Sequence, residues 1–184
     1  MKNPKPKIIA ISGGISPTSY NKKILNHLQD SFSEECEFKI YDEIVKFPFF
    51  ISGISDEETP KIIKDFLNEI NNADGILICS PEYVFSIPGV LKNALEWAVS
   101  SVVFTDKPVT LITAASVGEK AHESLLLVLK TIGAKLSDET NLLISGVKGK
   151  VTMDGKISDA QTKQSIQKLM NLFLNNLNTG RNIL

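Results

Sequence analysis

The sequence predicts an α/β fold: one domain, residues 1–184, built as a three-layer sandwich around a five-stranded parallel sheet of order 2-1-3-4-5. Three observations lead there. Five short apolar runs alternate with stretches whose apolar residues recur at helical spacing, a pattern that favours a parallel sheet covered by helices. Right-handed crossovers leave few topologies for such a chain. The two most unusual loops follow the first and third strands, and this order brings them together at the switch point where open α/β sheets bind ligands.

Ile8 to Ile11 reads as the first strand. The loop Ser12 to Asn21 then opens a helix in which Ile24, Leu28 and Phe32 share a face. Cys36 to Tyr41 is the second strand. Residues 42–59 are irregular, with Pro48 among Phe47, Phe49 and Phe50, and read as a connection packed against the body. Asp56-Glu57-Glu58 reads as a solvated helix start and not as a metal site. Pro60 starts a second helix with Ile62, Ile63, Phe66, Leu67 and Ile70 inward. Gly75 to Cys79, bounded by Asp74 and Pro81, is long enough for a buried strand and too short for a helix. After Ser86 the pattern turns helical through Val90, Leu91, Ala94, Leu95 and Ala98, with Pro88 in the first turn and Trp97 near the inner face. Val109 to Thr113 is the fourth strand. Ala114 to Lys120 is a loop before a helix bearing Ala121, Leu125, Leu129 and Ile132. Leu142 to Ile144 belongs to the fifth strand, extended on the broadest reading back to Leu136. Residues 146–158, with a turn signal at Asp154-Gly155, form a short excursion near the sheet edge. A last helix turns Ile166, Leu169, Met170, Phe173 and Leu177 inward.

The totals narrow the function classes. A formal net charge of −1 gives no global attraction to nucleic acid or anionic lipid, so neither is an expected partner. Cys36 and Cys79 fall in strands and read as small buried hydrophobes of a reducing compartment. Their separation fits no metal or redox motif, and no metal is expected. The N-terminus MKNPKPKIIAISGG has too short an apolar stretch for a secretory signal, and no run approaches the ~18 residues of a membrane span. The expected location is the cytoplasm. His27 and His122 lie on helices without partners nearby in sequence and read as surface or packing residues.

The order 2-1-3-4-5 is the flavodoxin-like one. Its first loop offers the hydroxyls of Ser12, Ser16, Thr18 and Ser19, the pair Gly13-Gly14, and Tyr20 and Asn21 at a helix start. Backbone N–H groups at a helix N-terminus, with hydroxyls around them, suit a phosphate. This loop has no lysine before Lys22, which excludes a P-loop, and a single glycine pair is not a dinucleotide fingerprint. A monophosphate held by neutral donors fits; so does a Ser/Thr-rich helix cap with no ligand. The second loop, Pro81, Glu82, Tyr83, Val84, Phe85 and Ser86, presents an aromatic ring, apolar surface and backbone polar groups suited to a planar heterocycle. The third loop lies beside it and offers mainly small residues, Ala115, Ser116 and Gly118.

SPEYVFSIPGVLKNALEW, residues 80–97, resembles the P-E-Y-N-x-S-x-P-G-x-L-K-N-A-x-D-W signature of the NADPH-dependent FMN reductases, which include quinone, azo-dye and chromate reductases. Pro81, Glu82, Tyr83, Ser86, Pro88, Gly89, Leu91, Lys92, Asn93, Ala94 and Trp97 match it. The first loop is similar to the family's G-S-L-R-x-x-S-x-N at Gly13, Ser19 and Asn21. The resemblance runs over most of the chain and weakens after Ser145. Val84 stands where the family has asparagine, Ser16 where it has arginine, Gly14 where it has serine, Glu96 where it has aspartate, and Glu119-Lys120 where it has a glycine pair.

The resemblance implies FMN bound noncovalently, NADPH or NADH as hydride donor, and a small electron acceptor: a quinone, an azo compound, a metal oxyanion or free flavin. It implies cofactor contacts from Gly13, Gly14, Ser16, Thr18, Ser19, Tyr20, Asn21, Pro81, Glu82, Tyr83, Val84, Phe85, Ser86, Ala115, Ser116 and Gly118. No catalytic side chain is expected, because such a cofactor carries the reactive atoms and the protein supplies position and electrostatics. Members of the family form dimers or tetramers, which implies a homodimer or homotetramer here. Two other readings stay open: a flavodoxin-type carrier without NAD(P)H activity, and a flavin-free member of the scaffold. Such carriers are usually strongly acidic, and this chain is not.

Overall fold

In the computed structural model, which describes residues 4–181, strands and helices alternate along those residues. The order is β1 (Lys7–Ser12), α1 (Tyr20–Ser31), β2 (Glu37–Tyr41), α2 (Lys61–Asn72), β3 (Gly75–Ser80), α3 (Gly89–Val99), β4 (Val109–Ala115), α4 (Glu119–Thr131), β5 (Asn141–Ser145) and α5 (Ala160–Arg181). The strands form one parallel sheet of order β2-β1-β3-β4-β5, as the sequence predicts. Successive side chains of a strand point to opposite faces. Ile9, Ile11, Ile76, Ile78, Val109 and Leu111 accordingly meet α2, α3 and α4 on one face. Ile8, Ala10, Leu77, Cys79, Ile112 and Ala114 meet α1 and α5 on the other. That double burial is why the central strands read as unbroken apolar runs.

The register places the site. Ser12 lies opposite Cys79, Ser80 opposite Thr113, and Ala115 opposite Ser145, so the loops after β1, β3, β4 and β5 emerge along one edge.

Several expectations need correction. β4 runs two residues further than the sequence suggests, so Ala114 and Ala115 are buried strand residues. α4 begins at Glu119, which shortens the third loop to 116–118. The fifth strand does not reach back to Leu136, because a 3-10 turn at Asp138–Thr140 precedes it. Cys36 sits one residue ahead of β2, and burial pushes its thiol up to about 11. Asp56-Glu57-Glu58 belongs to a turn, not a helix start. Ser55 N–H donates to Glu58 Oε2 at 3.0 Å and Glu58 N–H to Ser55 Oγ at 3.3 Å, but α2 starts only at Lys61. Pro60 disfavours helical geometry at the residue before it, so the chain restarts there.

The connection between β2 and α2 is bound to α3. The Pro48 carbonyl accepts from Trp97 Nε1 at 2.8 Å and Asn93 Nδ2 at 3.0 Å, and Phe50 N–H donates to Asn93 Oδ1 at 2.8 Å. The Phe50 ring meets Trp97 edge-on at 5.3 Å, while Phe47 packs with Tyr41 and Phe66. On the other face α5 comes so close to β3 that a Cβ on Gly75 would lie 2.7 Å from the Phe173 ring and 2.9 Å from Leu177. Among the described residues, no helix is long and apolar enough to cross a membrane.

Candidate functional site

The first loop is wound tightly against β3 and α1. Gly13 N–H donates to the Cys79 carbonyl at 2.9 Å, continuing the ladder beyond β1. A Cβ at Gly13 would lie 2.6 Å from Ser80 Oγ, and one at Gly14 would overlap Ser19 Oγ. Ser12 Oγ donates to the Gly14 carbonyl at 2.9 Å. The Ser16 and Thr18 hydroxyls are exposed and paired at 3.0 Å, and Thr18 N–H donates to Ser16 Oγ at 3.3 Å. Ser19 is the N-cap of α1, yet its side chain makes no capping bond, and the first turn has no acidic residue. The leading N–H groups of α1 are therefore not taken by a cap, and the helix dipole puts positive potential at the loop.

Two residues of this loop turn their side chains toward neighbouring elements. Asn21 is buried, its Nδ2 donating to the Ala114 carbonyl at 3.2 Å while its Oδ1 accepts from the Cys79 thiol at 3.3 Å. The Tyr20 hydroxyl donates to Met153 Sδ at 3.3 Å, and Lys23 Nζ sits 5.1 Å from the centre of its ring. The side chain of Asn21 binds α1 to β3 and β4, and that of Tyr20 binds it to the excursion before α5. Both reach the loop through their backbone. Beside the loop, Lys22 pairs with Asp42 at 2.8 Å across a cleft of about 180 Å³ that Ser12, Gly14 and Ile15 also line.

The second loop is a two-residue turn. Tyr83 N–H donates to the Ser86 carbonyl at 2.9 Å, and Ser86 N–H returns a bond to Tyr83 at 3.0 Å. Val84 and Phe85 between them have φ of 51° and 54°. Left-handed geometry costs a non-glycine residue roughly 1–2 kcal/mol, and a β-branched residue is a poor choice for it. Both side chains project into solvent, Val84 at 95% exposure, and Tyr83 is half-exposed beside them. Pro81 is buried at the end of β3.

The third loop is held from two sides. The Ser116 carbonyl accepts from Gly146 N–H at 3.0 Å and the Val117 carbonyl from Ser145 Oγ at 2.6 Å. Gly118 has φ of 98°, and a Cβ there would lie 2.8 Å from Leu143. Glu82 reaches across from the second loop: its Oε1 accepts from Gly118 N–H at 3.2 Å and its Oε2 from Ala121 N–H at 3.0 Å. His122, expected to lack a partner, lies 2.8 Å from the buried Thr113 hydroxyl through Nδ1. Burial lowers its pKa, with Glu123 opposing the shift. Nine residues separate the two, so no local spacing announces the pair. Cys79 lies fully buried beneath the first loop, and burial pushes its thiol far up, out of nucleophilic range. Among the described residues, no group of three or more His, Cys, Asp or Glu is placed to hold a metal ion.

Three loops at the carboxyl edge of a doubly wound parallel sheet of order 2-1-3-4-5, one bearing an uncapped helix start and one an exposed aromatic ring, belong to an α/β protein of flavodoxin-like fold. The model of the family NADPH-dependent FMN reductase matches residues 6–147, and the chain belongs to that family of oxidoreductases, whose cofactor is FMN and whose electron donor is NAD(P)H. Over 172 residues it is 29% identical to NADH:(hydroxy)cinnamate reductase subunit CrdA of Vibrio ruber, covering 90% of this chain and 84% of that one. It is 29% identical over 173 residues to 2-hydroxy-1,4-benzoquinone reductase of a Burkholderia species, covering 91% and 93%. Among solved structures it is similar to FerB, a flavoenzyme NAD(P)H:(acceptor) oxidoreductase from Paracoccus denitrificans, with a TM-score of 0.82, 23% identity, and coverage of 94% and 98%.

Proposed function

We propose that this chain holds FMN across its first three loops and passes the hydride of NAD(P)H through it to a small acceptor entering the same pocket. The observation that carries the reading is the start of α1: a helix N-terminus with neither a side-chain cap nor an acidic first turn, wrapped by a hydroxyl-bearing loop. The phosphate would meet the N–H groups of Tyr20 and Asn21 and the hydroxyls of Ser16, Thr18 and Ser19. The ring would lie against the second loop at Pro81, Tyr83, Val84, Phe85 and Ser86, with Ala115, Ser116 and Gly118 at its far end. Gly13 and Gly14 let the backbone approach closely. Ser16 and Val84 replace an arginine and an asparagine of the family signature, and either substitution would leave the backbone free to make such contacts.

FMN, when bound, supplies the reactive atoms that take up and release hydride. The protein's residues bind and orient it, and backbone N–H groups aimed at its polar edge favour the charge that develops there. No acid–base side chain is required, and Glu82 is committed to α4. The acceptors that fit an open ring face are quinones, azo compounds, metal oxyanions and free flavin; the similarity to a (hydroxy)cinnamate reductase subunit and a benzoquinone reductase favours conjugated organic acceptors. Exposed apolar residues such as Val99, Val102 and Leu127 are consistent with a homodimer or homotetramer. The cytoplasm is the proposed location.

The test is direct. Purified protein reconstituted with FMN should bind it in a 1:1 complex and oxidise NAD(P)H with benzoquinone in steady state. FMN binding without NAD(P)H oxidation would instead identify an electron carrier.

A further inference from the structure

Glu82 sits in the second loop, but its carboxylate serves the third. Both oxygens accept backbone N–H groups at the start of α4, from Gly118, the N-cap, and from Ala121, in the first turn. These are donors that a helix start leaves without intrahelical partners. A carboxylate at the positive end of a helix dipole is favoured, and its bonds to N–H groups are charge-assisted. The third loop is thereby fixed from the β3 side by Glu82, and from the β5 side by Ser145 and Gly146. α1 and α3, facing the same edge, have neither a side-chain cap nor an acidic first turn, and of the two α1 is the one that opens from a loop rich in hydroxyls. The start of α4 is answered by the protein's own carboxylate, and that of α1 is not.

We propose that Glu82 is an orienting residue: its carboxylate takes the N-terminus of α4 for the protein itself, ties the second loop to the third, and leaves the first loop as the end of the cleft that receives an anionic group. A ligand with a phosphate at one end and a ring at the other is then accepted in one direction, phosphate toward α1 and neutral ring toward Gly118. The Glu82 carboxylate acts through the N–H groups it holds. The inference rests on the reading of the cleft as an FMN site.

The experiment uses the full chain without cofactor, followed by amide NMR during titration with inorganic phosphate and then with FMN. In the wild type, phosphate is expected to shift the amides of Thr18 to Asn21 and to leave those of Gly118 and Ala121 in place. In Glu82→Ala, phosphate is expected to shift Gly118 and Ala121 as well, their hydrogen exchange to quicken, and FMN to bind about tenfold more weakly, near the low end expected for losing charge-assisted bonds. Glu82→Asp, which keeps the carboxylate, should regain part of that affinity; a cap that served stability alone would move the melting temperature and not the affinity. Gly118 and Ala121 amides that ignore phosphate in Glu82→Ala, or an FMN affinity within twofold of wild type, overturns the proposal. Should Glu82→Ala fail to fold, Glu82→Gln keeps the size and one acceptor, and exchange with FMN affinity decides. A wild type whose first loop answers neither phosphate nor FMN removes the cofactor reading and this inference with it, an outcome distinct from a responsive first loop indifferent to Glu82.

Discussion

The Thr113 hydroxyl and Nδ1 of His122 lie 2.8 Å apart, joining the end of β4 to the first turn of α4 beside the third loop. Burial lowers the pKa of this imidazole, and also that of His27, where Lys163 adds to the shift and Asp30 opposes it. The unfolded chain, with histidines near ~6.5, therefore takes up protons before the folded one. Stability is fully present above that pH and is lost as pH falls through the folded values. The melting temperature should decline from pH 7 to pH 5.5, and His122→Gln should flatten part of the decline. An unchanged slope in the variant would mean that the Thr113 contact does not sense protonation.

Val84 should be replaceable with a gain in stability. Its φ of 51° suits asparagine better than valine, and its side chain is almost fully exposed, so little packing is lost. Val84→Asn is expected to stabilise the fold by roughly 0.5–1 kcal/mol, raising the melting temperature by about 1–4 °C for a chain of this size. A lower melting temperature would show that the apolar tip is already in favourable contact.

Gly14 and Ser19 should be coupled. A methyl group at position 14 meets Ser19 Oγ, so Gly14→Ala should loosen the first loop and weaken FMN binding by about tenfold or more. Ser19→Ala removes the clashing oxygen but leaves its Cβ 3.3 Å from the new methyl, so the double variant should recover only part. Isothermal titration of the four proteins gives the coupling energy; strict additivity would place the two residues apart.

Asn93→Ala should cost about 1–2 kcal/mol in urea unfolding, because it strips the half-buried Phe50 N–H of its acceptor. The Pro48 carbonyl would still be satisfied by Trp97, which limits the loss. A cost below ~0.5 kcal/mol would mean that water replaces the amide.

The fold was legible because both layers leave their mark on the strands: Ile76-Leu77-Ile78-Cys79 is apolar at every position since alternate residues serve opposite faces. The loops were legible by composition and by their resemblance to a signature. What the side chains do inside them was not. Asn21 looks like a phosphate-loop residue, yet its amide is spent on Ala114 and Cys79, contacts made only when α1 lies across β3 and β4. Glu82 looks like part of a ring-binding loop, yet its partners are thirty-six and thirty-nine residues away. The ends of β4 and β5 were misplaced because alanine, serine and threonine carry little periodicity, and register with neighbouring strands, not local pattern, decides where pairing stops.

The close approach of α5 to Gly75 bears on how this chain can be divided. The family match ends at residue 147, and a fragment cut there would retain all five strands and the three candidate loops. It would also uncover Ile8, Leu77 and Ile112, and leave a groove over Gly75 where Phe173 and Leu177 belong. Such a fragment would be expected to self-associate through that bared face, as large exposed apolar patches do. A stable fragment is therefore expected to extend past Leu177, since the sequence beyond the family match is what covers this face of the sheet.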